Sequence, residues 1–208
     1  MSALTSKAVS WAESGLVPDL VIRAGIRRLL EAKRKEIHSG DVEFAAAVTN
    51  QFVDMMNASP VALLPDLANE QHYEVPAEFF SHVMGENLKY SCGFWPEHVK
   101  DLSHAEGVAL QITVERAGIR DGMRVLDLGC GWGSLSLWIA AHFPNSHVTS
   151  VSNSKSQRDH ILKMAADRSI DNIDVIVCDM NEFSIDMLFD RVVSVEMFEH
   201  MRNYGEMF

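Results

Sequence analysis

The sequence predicts an α/β fold, a parallel sheet covered by helices and preceded by a helical segment. Three observations carry that expectation. From about residue 101 onward, short β-rich apolar runs alternate with helical patterns. One of these runs, Arg124–Leu128, opens directly into Gly129, Gly131 and Gly133 and then into a helical pattern. Residues 1–60, by contrast, read as helices throughout.

The elements follow in order. Gly40-Asp41 sets up an N-cap, and Val42, Ala45, Val48, Phe52 and Met56 recur at helical spacing up to a stop at Ser59-Pro60. Upstream, Arg23, Arg27, Arg28, Lys33, Arg34 and Lys35 flank Ile26, Leu29 and Leu30. This is either a helix with a solvated basic face or one suited to lipid headgroups or an acidic substrate. Residues 61–100 are loop-rich and aromatic, with Tyr73, Phe79, Phe80, Tyr90, Phe94 and Trp95 between Pro76 and Pro96 or near them. They suit a lid on the core or the wall of a pocket. Then come a helix at 105–117, a strand at 124–128, a helix at 133–143 and a strand at 147–151. A helix at 155–168 and strands at 173–178 and 190–195 complete the series. The expected boundary falls between a helical segment, 1–68, and an α/β domain, 69–208.

Composition bounds the function. The 208 residues are 47% hydrophobic and 23% charged, which excludes a disordered or fibrous chain. No apolar run approaches eighteen residues, so no membrane span is expected, and Glu13 and Asp19 interrupt any signal-peptide pattern. Cys92, Cys130 and Cys178 are odd in number and widely spaced, which suits a reducing cytoplasm. Residues 1–60 hold seven basic and seven acidic side chains; the rest hold eleven and twenty-two. An acidic domain repels nucleic acid and favours a cationic ligand.

The glycine run is the strongest local signal. A strand that breaks into alternating glycines before a helix brings backbone close to a ligand at the helix N-terminus. Dinucleotide sites space their glycines G-x-G-x-x-G and place an acid about 20 residues on. Here the spacing is G-x-G-x-G and the next strand ends in Val151-Ser152-Asn153, so NAD is disfavoured. A tight turn without a ligand is the structural alternative.

Asp127-x-Gly129-x-Gly131-x-Gly133 resembles the first motif of the Rossmann-like class I methyltransferases that use S-adenosylmethionine. Three further segments narrow the likeness: Lys89–Trp95, Val151–Gln157 and Val195–Met201. Together they resemble the branch that holds the cyclopropane-fatty-acyl-phospholipid synthases and the coclaurine-type N-methyltransferases. The resemblance implies S-adenosylmethionine as cofactor, with Tyr90 and Ser91 above it and Gly129 and Gly131 beneath. Asp127 would hold the cofactor's ammonium or order water around it. Ser152, Asn153 and Gln157 would meet the ribose, where hydroxyl and amide groups can replace the missing acid. Asp179 would lie by the adenine and Met180 against its ring. Helix capping is the alternative role for Ser152, Asn153 and Gln157.

Glu196, Glu199 and His200 follow the last apolar run, at the carboxyl end of the sheet, where such sheets bind ligands. On a helical turn the three share a face. Two carboxylates and an imidazole can bind a protonated amine and remove its proton. A single histidine with two glutamates lacks the paired histidines usual for zinc, so no metal is expected. The synthase branch usually reads S-V-G-M-F-E-H, with glycine where this chain has Glu196. A charge there would oppose a passing acyl chain and welcome an ammonium.

The expectation is therefore N-methylation of a small amine by Glu196, Glu199 and His200. The alternative is cyclopropanation of unsaturated phospholipid acyl chains, for which the resemblance implies a bicarbonate near Cys92 and His200. A third reading is an inactive cofactor-binding relic. The family's sheet has seven strands and only four are read here, which suggests the front part of a longer enzyme. Peripheral contact with membranes is compatible with either substrate.

Overall fold

The computed structural model describes residues 3–37, 40–63 and 77–208. Among them no helix is long and apolar enough to cross a membrane. The chain divides into two units, residues 1–55 and 56–208.

The first unit is helical: α1 (Ala3–Glu13), α2 (Asp19–Ile37) and most of α3 (Val42–Asn57). Asp41 Oδ1 accepts from the backbone N–H groups of Glu43 and Phe44, the expected cap at the start of α3. The basic stretch lies on α2, where Lys33 pairs with Glu36 at 2.7 Å and Arg34 with Glu31 at 3.1 Å. These pairs are exposed and contribute little to stability.

The second unit holds α4 (Ala77–Val83), α5 (Leu102–Ala117), β1 (Arg124–Leu128), α6 (Ser134–His142) and β2 (His147–Ser152). Then follow α7 (Lys155–Asp167), β3 (Ile173–Val177), β4 (Arg191–Val193) and, beyond a 3-10 turn at Phe198–His200, α8 (Tyr204–Met207). The four strands form one parallel sheet in the order β3-β2-β1-β4. Val125 stands opposite Val148, which stands opposite Ile173, so side chains of one parity share a face. That face meets Leu110 of α5, Ile139 of α6 and Ile161 of α7 in the main core. Each of these large aliphatic side chains is essentially sealed from solvent, which stabilises the fold by about 1.5–3 kcal/mol apiece. Leu126, Leu128 and Val151 face the other way, against Met180, Phe183, Met197 and Met207 of the chain after β3 and β4.

The differences from the expected boundaries have local causes. Helix α5 begins three residues early because the Asp101 side chain accepts from His104 N–H and caps it. Strand β4 is short: Ser194 donates its hydroxyl to the Leu128 carbonyl, and the chain turns away at Glu196. Part of the aromatic stretch is helical, with Phe80 buried against Trp132 and Tyr90 at ring centroid distances of 5.0 and 5.4 Å. Tyr73 lies outside the described residues.

Candidate functional site

A cavity of about 260 Å3 opens at the carboxyl ends of β1 and β4. Eight of the thirteen expected site residues line it: Tyr90, Ser91, Asp127, Gly129, Gly131, Glu196, Glu199 and His200. The floor is the turn from β1 to α6. Gly129 has φ +76°, and a Cβ on it would fall 2.7 Å from Met197 Cβ. Gly131 has φ +54°, yet a Cβ there would meet nothing within 4 Å. Packing thus requires the first glycine. The second keeps backbone bare on the cavity side.

Asp127, next to last in β1, lines the cavity and is buried. Burial pushes its carboxyl up to about 6, against the opposing effect of the Ser136 hydrogen bond. Ser136 donates to Oδ2 at 2.6 Å, and Ser150 donates to Ser136 at 2.8 Å. Beside it the Cys130 thiol is pushed well up by burial and by the Asp127 charge, which makes it a poor nucleophile.

Glu196, Glu199 and His200 come together by a different route from the expected helical face. Glu199 and His200 sit on the 3-10 turn, and Glu196 precedes it with φ +56°. All three are exposed at the cavity edge.

The remaining five lie apart from the cavity lining. Ser152 donates to Gln157 Oε1 at 2.6 Å and accepts from Ser154 N–H at 3.0 Å. Ser154 is the N-cap of α7. Both Ser152 and Gln157 are buried, whereas Asn153 between them is exposed. Asp179 accepts from Asn181 through its N–H at 2.8 Å and its side-chain amide at 3.0 Å. Met180 belongs to the second apolar cluster and lines a separate cavity on that face.

Two charged residues carry more of the site's architecture than their sequence context suggests. Glu106, on α5, is buried and accepts from the backbone N–H groups of Gly85 and Asn87 at 2.8 and 3.0 Å. It pins the loop leading to Tyr90. The signal was a lone acid on the apolar side of a helix, between Ala105 and Leu110. Lys89 lines the cavity and donates to Ser91 Oγ and, at 2.9 Å, to the Cys92 carbonyl.

This sheet order and glycine cradle are those of the class I methyltransferase fold, which the solved structures that the chain resembles share. The chain belongs to the family described as mycolic acid cyclopropane synthetase, whose pattern it matches over residues 66–208. It is 38% identical over 196 residues to (S)-coclaurine N-methyltransferase of Thalictrum flavum subsp. glaucum, covering 92% of this chain and 53% of that enzyme. A cyclopropane-fatty-acyl-phospholipid synthase of Escherichia coli K12 is 34% identical over 144 residues, 68% of this chain and 36% of that one. The chain thus spans about half the length of the first of these curated relatives, or less. Among solved structures, a coclaurine N-methyltransferase bound to N-methylheliamine and SAH superposes with a TM-score of 0.85. Identity is 34%, over 99% of this chain and 59% of that one.

The residues present fit a cofactor of that kind. Ser134 Oγ and Trp132 Nε1, on two residues lining the cavity, are buried without a hydrogen-bond partner among the described residues. Such groups are expensive to leave unmet, and a polar ligand in the cavity that Trp132 and Ser134 share with Gly131 is one way to meet them.

Proposed function

We propose that the protein is an S-adenosylmethionine-dependent methyltransferase acting on the nitrogen of a small amine. The observation that carries this is the backbone at Glu196. A non-glycine residue with φ +56° costs about 1–2 kcal/mol. Glycine, which the synthase pattern places here, adopts that angle freely. A carboxylate held there at the expense of stability, beside Glu199 and His200 on a ligand cavity, is suited to a cationic substrate. The likeness to coclaurine N-methyltransferase supports the same reading.

S-adenosylmethionine, when bound, supplies a methyl group already activated on a sulfonium, leaving the protein to align the acceptor and exclude water. Glu196 and Glu199 draw the protonated amine to the cavity. An amine of pKa near 10 has no free lone pair at pH 7, so His200 accepts its proton. Tyr90, held edge-on against Phe80, roofs the site, and its ring face attracts the cation. For the cofactor, Asp127 meets the ammonium, Gly129 and Gly131 lie beneath, and Ser91 lies above. Ser152, Asn153 and Gln157 serve the ribose, and Asp179 and Met180 the adenine; the buried Ser152–Gln157 pair then has to open or be bridged by the ribose.

The methyl acceptor is a small molecule and not nucleic acid, and three free cysteines suit a cytoplasmic setting. Incubated with S-adenosylmethionine and coclaurine, or a simpler secondary amine, the protein should release S-adenosylhomocysteine and the N-methyl product. Glu196→Gln should lower kcat/KM by about tenfold or more. Turnover unaffected by Glu196→Gln contradicts the reading.

A further inference from the structure

Three carboxylates line the cavity, from Asp127, Glu196 and Glu199, and Lys89 is the one lysine or arginine among its described lining residues. Its ammonium is held in place, donating to Ser91 Oγ and to the Cys92 carbonyl. An ammonium has three donors, so one remains for a ligand. Burial lowers the Lys89 pKa, and electrostatic interactions with Cys92, Glu196 and Glu106 oppose that shift.

The amino-acid end of S-adenosylmethionine bears an ammonium and a carboxylate on the same carbon. Asp127 answers the first. The second has to leave water in a cavity that three acids also line, and a carboxylate so placed needs a cationic partner. We propose that Lys89 binds the cofactor's α-carboxylate while holding the Tyr90-Ser91 roof in place. The assignment rests on the cofactor reading above and goes beyond it by naming a ligand for a specific group.

The test is calorimetric titration of the full chain with S-adenosylhomocysteine and with its decarboxylated analogue, which lacks only the carboxylate. The unaltered protein should bind the first about tenfold or more tightly than the second, the scale of a lost charged hydrogen bond. In Lys89→Met that preference should fall to near unity, and in Lys89→Arg it should persist. Loosening of the roof would weaken both ligands alike, so the ratio reports on the carboxylate alone. Equal weakening of both ligands in Lys89→Met, with the preference intact, overturns the assignment and leaves Lys89 a positioning residue. Failure of the unaltered protein to bind S-adenosylhomocysteine at all would overturn the cofactor reading itself and the assignment with it.

Discussion

Ser136 donates its hydroxyl to Asp127 across 2.6 Å of buried space, tying the first turn of α6 to the end of β1. Ser150 of β2 completes the chain by donating to Ser136. Hydroxyls therefore support Asp127 from behind. The cationic partner its charge calls for belongs on the cavity side, where an ammonium would arrive.

That arrangement predicts a trade between stability and binding. The Asp127 carboxyl is pushed from 3.8 up to about 6 by burial, so between those values the folded protein holds a proton that the unfolded chain has lost. The contribution of this group to stability is fully present below about pH 4 and is lost as pH rises through about 6, a loss of roughly 3 kcal/mol. Asp127→Asn can still accept from Ser136. It should raise the denaturation midpoint at pH 7 and flatten the dependence between pH 4 and 7, as urea titrations would show. Affinity for S-adenosylhomocysteine should rise through pH 6 in the unaltered protein and lose that rise in Asp127→Asn. A variant that is no more stable at pH 7 would contradict this account.

Glu196→Gly separates strain from chemistry. Glycine relieves the left-handed backbone, offset in part by its greater freedom in the unfolded chain. Thermal stability should hold or improve, while methylation of an amine falls at least tenfold. Loss of stability together with activity would mean that Glu196 is a structural residue.

The two floor glycines should respond differently to alanine. Gly129→Ala puts a methyl 2.7 Å from Met197 Cβ at φ +76° and should destabilise by about 1–3 kcal/mol through overpacking, on top of backbone strain of about 1–2 kcal/mol. Gly131→Ala meets no atom of the protein. It should carry only the backbone strain of about 1–2 kcal/mol and weaken cofactor binding by a larger factor than Gly129→Ala does once stability is matched. Denaturation curves and calorimetry on both variants decide the matter.

Much of the sheet was legible because β1 and β2 bury every residue after their first, which favours short β-rich runs. Arg124–Leu128 matches the expected span, and β2 and β3 differ from theirs by one residue. The glycine motif likewise located the cavity floor. The position of Glu196 was visible, but its backbone angle was not, since sequence does not reveal strain that only tertiary packing imposes. Lys89 stood in a quoted motif without a role, because the need for one cation emerges only when Asp127 is brought to the same cavity as Glu196 and Glu199. Met180 faces the opposite side of the sheet from the cavity, a placement fixed by the turn after β3 rather than by any periodic pattern. The helix at α4 was hidden by its aromatic residues, which read equally well as loop.

The most direct test of the central claim is a competition between acceptors. The protein is given methyl-labelled S-adenosylmethionine together with a small secondary amine and vesicles of unsaturated phospholipid, and the label is followed into each. The account predicts label in the amine, abolished or strongly reduced in Glu196→Gln, and none in the acyl chains. Label in the acyl chains, with the amine untouched, would contradict it and assign the site to cyclopropanation.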